Sequence, residues 1–169
     1  MLETQTPPNP ISLETDQSEL KLTQMLTPAD DVAYFGLQND NLDYWREFGN
    51  AIDESEAAVT KRRLEHGNGR FGIWLGDKLI GMVGYSTKRS NDDVEIGILL
   101  TKQATGHGYA TSAIKALTVY AKSHFKRVYA EVEPNNERSI GLLLRAGYKT
   151  TGERVTRDWG EALVFEAPS

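Results

Sequence analysis

Apolar and polar positions alternate along some stretches of the chain and recur at three- and four-residue steps along others, and these patterns predict the elements in turn. Leu20-Lys-Leu22-Thr-Gln-Met25 alternates as a first strand does. Thr27-Pro28 reads as the N-cap and first position of a helix. Asp30 and Asp31 fall in its first turn, and Val32, Phe35 and Gly36 give it a modest apolar face. An aromatic and Asn/Asp-rich run through Tyr44, Trp45 and Phe48 follows, then a second helix over 54–65 closed by His66-Gly67-Asn68-Gly69. Two β-rich runs, 70–75 and 78–87, flank Gly76-Asp77, which is a hairpin signal. Ser90-Asn91-Asp92 makes the next turn.

The stretch from Asp93 to Ala121 organises the rest. It begins as a strand over 94–100, crosses a polar turn with glycines over 101–108, and enters a helix with Ala110, Ala113, Ile114, Leu117, Tyr120 and Ala121 on one face. A further strand over 127–132 makes a strand–helix–strand unit, which predicts a right-handed parallel crossover. Pro134-Asn135-Asn136 opens a short helix with Ile140, Leu143 and Leu144 toward the core, and Gly147 stands where a left-handed C-cap is expected. Strands over 148–156 and 159–166 close the chain. The order β-α-α-β-β-β-α-β-α-β-β predicts a single α/β (α+β) domain over 19–167, with a mixed central sheet of about six to seven strands flanked by about four helices. Residues 1–18, with Pro7, Pro8 and Pro10 and few apolar side chains, read as a flexible tail outside the core. A second copy of the chain, in a homodimer, is one partner for that tail.

Composition narrows the class. A hydrophobic share of 39% and a charged share of 25% in 169 residues fit an ordinary globular domain rather than a disordered chain. No apolar run nears the ~20 residues of a membrane helix, and the N-terminus lacks a secretory pattern, so the expected compartment is the cytoplasm and no membrane partner is expected. The absence of cysteine excludes disulfides, thiolate metal sites and a thiol nucleophile. Nineteen basic against twenty-four acidic residues, net −5, disfavour a nucleic-acid surface and suit either simple solubility or a cationic acceptor.

The glycine turn carries the clearest chemistry. A strand that feeds a helix through glycines leaves N–H groups free at the helix start, where the dipole also favours an anion such as a pyrophosphate. A P-loop needs Gly-Lys-(Ser/Thr), which is absent, and a dinucleotide fingerprint needs a small residue where Thr111 stands. Gln103-Ala-Thr-Gly106-His-Gly108 instead matches (Arg/Gln)-x-x-Gly-x-(Gly/Ala), following Glu95-Ile-Gly97 and preceding Asn136-x-x-Ser139 and Arg145-Ala-Gly-Tyr148. On these residues the chain resembles the GCN5-related N-acetyltransferases, the GNAT superfamily. It is most similar to the ribosomal-protein-serine N-acetyltransferase group, which the Thr-Pro-Ala-Asp helix start, Asp40-Asn41…Trp45, Phe71-Gly-Ile and Leu79-Ile-Gly81 also echo. The resemblance spans Leu20 to Phe165.

What the resemblance implies is a sheet whose fourth and fifth strands are parallel and splayed, acetyl-CoA as cosubstrate, and no metal. It places the coenzyme against Ile98, Leu99, Leu100, Gln103, Thr105, Gly106, His107, Gly108, Tyr109, Ala110, Asn136 and Ser139. Glu95 would act as base toward the acceptor amine, and Ser139 would lie near the thioester sulfur. Tyr44, Trp45 and Glu95 would face the acceptor, though core packing is the better explanation of the two aromatics. Read from the residues alone, Glu95 is either a base or a rim glutamate paired with an arginine, and Asn136 with Ser139 makes an ordinary helix cap. Many relatives carry a tyrosine acid four residues after the Ser139 position; Leu143 stands there instead, and Tyr148 reads as a core aromatic.

The implied function is an acyltransferase that acetylates a primary amine by direct attack in a ternary complex. Deprotonating an α-amine of pKa ~7.7–8.0 at pH 7 costs about 1 kcal/mol, against roughly 4–5 for a lysine-like amine near 10.4. A single glutamate working through water suits the former, so a protein or peptide N-terminus is the expected acceptor. A polyamine or aminoglycoside-type acceptor, or a catalytically silent CoA-binding module, stands as the alternative.

Overall fold

The computed structural model describes residues 9–46, 55–66, 69–87 and 89–169. Phe48, the turn at Gly67-Asn68, the side chain of His66 and residues 1–8 of the expected tail lie outside them. Among the described residues one sheet holds eight strands: β1 (Ser12–Glu14), β2 (Leu20–Gln24), β3 (Arg70–Leu75), β4 (Lys78–Ser86), β5 (Asp93–Leu100), β6 (Arg127–Val132), β7 (Lys149–Arg157) and β8 (Gly160–Glu166). Their spatial order is β1-β2-β3-β4-β5-β6-β8-β7, antiparallel throughout except β5 beside β6. Four helices accompany them, α1 (Pro28–Arg46), α2 (Glu56–His66), α3 (Tyr109–Lys122) and α4 (Glu137–Arg145), with a 3-10 turn at Lys102–Ala104.

The extra strand comes from the segment expected to be a tail. Ser12–Glu14 pairs with β2 from Ser12↔Thr23 to Glu14↔Lys21, and Leu13 packs on the core. So short an edge strand carries no readable alternation, and its pairing rests on backbone hydrogen bonds that any sequence without proline can supply.

The main core lies on one face of the sheet. There Val94, Ile96, Val128 and Ala130 meet Ala113, Ile114, Leu117 and Ala121 of α3, together with Leu143 and Tyr148. α4 differs in detail from its pattern: Leu143 is buried and Ile140 partly so, but Leu144 is exposed and Leu142 faces a cavity. Gly147, at φ +90°, closes that helix, and the Tyr148 N–H donates to the Leu143 carbonyl at 2.9 Å.

α1 starts as its sequence signals. Asp30 Oδ2 accepts from the Leu26 and Thr27 N–H groups, both at 2.8 Å, while the Thr27 hydroxyl accepts from the Asp30 N–H at 3.3 Å. Its buried stripe is not the apolar one. Asp31, Tyr34, Gln38, Asn41 and Trp45 are buried, at helical spacing, and Val32 is 55% exposed. Asp31 and Asn41 are each hydrogen-bonded within the stripe's surroundings. Asp31 accepts from Arg63 Nε of α2 at 2.9 and 3.0 Å and from the Thr60 hydroxyl at 3.1 Å; Asn41 donates to the Leu37 carbonyl and accepts from the Lys102 N–H.

The Asp31–Arg63 pair is 3% and 13% exposed and locks α2 onto α1. Breaking it by Asp31→Ala strands a buried guanidinium. We expect a loss of about 3–5 kcal/mol in urea unfolding, most of it recovered in an Asp31→Leu/Arg63→Met double variant.

Candidate active site

The site begins where β5 loses a neighbour. β5 and β6 are paired only from Asp93↔Arg127 to Glu95↔Tyr129, whereas on the other side β5 stays paired with β4 up to Gly81↔Leu100. Past Glu95 the parallel strands part, and the β6-facing backbone of Ile98 to Leu100 borders a cavity of about 580 Å³.

The opposite wall is the glycine turn. Gly106 (φ +83°) and Gly108 (φ +77°) hold left-handed backbone that side chains resist. Gly108 is the N-cap of α3 and supplies no side-chain acceptor, so the first N–H groups of that helix have neither a helical partner nor a cap. Thr105, Gly106, Gly108, Tyr109 and Ala110 all line the cavity, as do Thr111 and Ser112. Uncapped amides at a helix start, with no Cβ in front of them, fit a diphosphate. Gln103 and His107 do not line it; the His107 ring stacks on Tyr109 at 5.3 Å.

α4 and α1 complete the walls. Asn136 Oδ1 accepts from the Ser139 N–H at 3.1 Å, the expected N-cap, and both residues also line the cavity. Trp45 is 3% exposed and donates from Nε1 to the Leu100 carbonyl at 2.9 Å, tying α1 to the end of β5. Tyr44 lies beneath the Arg138 guanidinium at 5.3 Å. Arg138 and Arg145 add positive charge to the same cavity. The periodicity of α4 marks its apolar face only and does not place either arginine in a cavity.

Glu95 lies outside this lining, on the sheet face it shares with Gly97 and Leu99, and it is not alone. Arg89 Nη1 donates to Glu95 Oε2 at 3.0 Å and to Glu131 Oε1 at 2.8 Å, and Arg157 Nε donates to Glu131 Oε2 at 2.8 Å. Arg157 also holds the second oxygen of Glu131. The rim-glutamate reading of Glu95 is thus present in the geometry, with Arg89 as the arginine. Burial first, and the Glu131 charge second, push the Glu95 carboxyl above the usual glutamate value, against the pull of Arg89 and Arg157. Burial also acts to raise Glu131, whose side chain is 1% exposed. The Arg157 hydrogen bond and the two guanidinium charges outweigh it and hold Glu131 below the usual value. Glu131 had a legible signal: a carboxylate amid Val128, Ala130 and Val132 demands a partner.

Tyr148 is 1% exposed, hydrogen-bonded to the Thr118 hydroxyl at 2.7 Å, and pushed up to about 12 by burial, so it serves the core and not proton transfer. Leu143 is buried likewise. Among the described residues no three His, Asp or Glu side chains gather as a metal site.

A family model described as an acetyltransferase (GNAT) domain matches residues 19–149. Over 104 residues the chain is 33% identical to an uncharacterized N-acetyltransferase p20 of Bacillus licheniformis, a match that covers 59% of this chain and 57% of that relative. Among solved structures, RimL, a ribosomal L7/L12 alpha-N-protein acetyltransferase in complex with coenzyme A, superposes with a TM-score of 0.74 at 12% identity over 91% of this chain and 96% of its own. The aminoglycoside acetyltransferase AAC(6')-Ib, in complex with ribostamycin and coenzyme A, gives 0.74 at 19% identity over 88% and 93%. At these identities the likeness is one of fold.

The Glu131 carboxylate stabilises the fold only while ionised. Its folded value is depressed, so its contribution is complete above the ordinary glutamate value of 4.5 and fades as pH falls through the lower folded value. Glu131→Gln should therefore be less stable than the wild type at pH 7, and the gap should close as pH falls below 4.5 and through the depressed folded value, read from urea midpoints across pH.

Proposed function

The chain belongs to the acetyltransferase (GNAT) family, and on that premise we propose that it moves an acetyl group from acetyl-CoA to a primary amine by direct attack in a ternary complex. The observation that carries this reading is one shared cavity. The uncapped start of α3 and the parted end of β5 face each other across it, so a diphosphate bound at one end delivers its thioester to the other.

The chain's own groups then divide the work. Amides from Gly106 to Ala110 hold the diphosphate, and Asn136 with Ser139 flanks the pantetheine arm. The β6-facing N–H groups of Ile98 to Leu100, which meet no strand, receive the thioester oxygen as negative charge builds on it. Glu95 takes the amine's proton through water; its raised pKa brings it nearer the operating range of a base. The amine nitrogen bonds to the carbonyl carbon as the C–S bond breaks, and the thiolate leaves with a proton from Ser139 or water, or none, since a thiol of pKa ~8.5 is a tolerable leaving group. Neither Leu143 nor the core-bound Tyr148 supplies an acid. A cysteine-free chain using this donor suits the cytoplasm.

The acceptor we favour is a protein or peptide α-amine, because one water-mediated carboxylate suits an amine of pKa ~7.7–8.0 better than one near 10.4. Fold likeness to RimL supports that acceptor, and equal likeness to AAC(6')-Ib supports a small polyamine or aminoglycoside in its place. Free-thiol release from acetyl-CoA with N-terminal peptides, spermidine and aminoglycosides separates the two. Tight coenzyme binding without thiol release from any acceptor would mark a silent binding module.

Glu95→Gln should lower kcat by about 10²-fold, within the usual worth of a general base. The wild-type kcat should fall on acidification through a value above 4.5, and the variant should lack that limb; an identical pH profile would remove Glu95 from the mechanism. Titration with coenzyme A should shift the amide resonances of Gly106 and Gly108, and unmoved signals would refute the diphosphate site.

A further inference from the structure

Arg89 spans the opening between the parted strands. In the parallel register Glu95 lies opposite Tyr129, so two residues on Gly97 faces Glu131 across the gap. Arg89, from the turn between β4 and β5, reaches Glu95 on one side and Glu131 on the other through a single nitrogen, Nη1. Between them Gly97 leaves room: a Cβ built there meets nothing within 4 Å. An acceptor amine within one water of Glu95 must therefore arrive beside the Arg89 guanidinium.

The two arginines differ in how firmly they are held. Arg157 grips both oxygens of Glu131, whose carboxylate stays satisfied without Arg89. The Arg89 side chain is 40% exposed, uses one of its nitrogens on the two carboxylates and has a further hydrogen bond with Tyr129, so it holds neither glutamate by both oxygens. Charge then selects a partner. Glu95 and Glu131 balance Arg89 and Arg157, so the group of four is neutral, and a zwitterionic acceptor leaves it neutral. Its ammonium meets the carboxylates while its own carboxylate meets Arg89. A phosphate dianion would instead add surplus negative charge beside two glutamates.

Resting on the acetyl-transfer reading above, we infer that Arg89 is a specificity-determining residue that docks a carboxylate carried close to the acceptor's amine and, in moving to it, releases Glu95 to receive the proton. The carboxylate comes from an acidic second residue of a peptide or from a free amino acid.

The test is the initial rate of thiol release with Ser-Glu-Ala amide, Ser-Gln-Ala amide, Ser-Lys-Ala amide and free serine. Wild type should prefer the Glu peptide, or free serine, over the Gln peptide by about tenfold or more in kcat/KM, the worth of one charge-assisted pair. Arg89→Ala should bring that ratio to about one, and Arg89→Lys should keep part of it. The ratio cancels any general loss of activity in the variants. The kcat profile should also show its acid limb at higher pH with the acidic acceptor than with the Gln peptide, because Arg89 otherwise lowers Glu95. Equal wild-type rates, or a preference that survives Arg89→Ala, would overturn this inference alone. No thiol with any acceptor would overturn the acetyl-transfer reading beneath it.

Discussion

The structure depends on one interrupted pairing. β5 keeps β4 along its length and gives up β6 after Glu95, and a strand with one bare side in the middle of a sheet needs something to meet its backbone. Part of the answer is protein: the Trp45 indole N–H donates to the Leu100 carbonyl. The rest faces a cavity whose other wall is a helix start with unfilled amides. Two sets of unsatisfied backbone groups thus look at each other across a space sized for an elongated ligand, as is usual for sites at the carboxyl ends of parallel strands.

The opening is held at a set width by charge as well as by packing. Glu131 is buried on β6 and would be costly there alone. Arg157 satisfies it from β7, and Arg89 ties it across the gap to Glu95. Arg89 and Arg157 hold Glu131 as a firm carboxylate, and burial followed by that Glu131 charge raises Glu95 against the pull of the same two arginines. Two glutamates on one face are driven apart in acidity, one into a structural role and one toward proton transfer.

Helix α1 builds the remaining wall by polar means. Its buried stripe carries Asp31, Gln38 and Asn41 between Tyr34 and Trp45, and the stripe positions the chain around Lys102 as much as it fills space. Buried hydrogen bonds specify an orientation that apolar contacts alone leave loose. That is why a helix with little amphipathic character can still fix one side of a site.

The letters of the chain determined a great deal. Alternation and helical spacing delimit β3 to β6, α3 and the closing hairpin within a residue or two. The glycine turn followed by the α3 stripe marks the anion-facing helix start, and Asn136 with Ser139 marks the cap beside it, because each of these is a local constraint on backbone geometry. Tertiary structure alone decided the rest: that Ser12–Glu14 joins the sheet, that α1 buries its acidic and amide side chains while Val32 stays outside, and that Leu142 rather than Leu144 turns inward. It alone joined Glu95, Arg89, Glu131 and Arg157, four residues from three strands and a turn. Their pairing depends on register and twist between strands distant in sequence, and charged side chains carry no periodic signal of the partner they will meet.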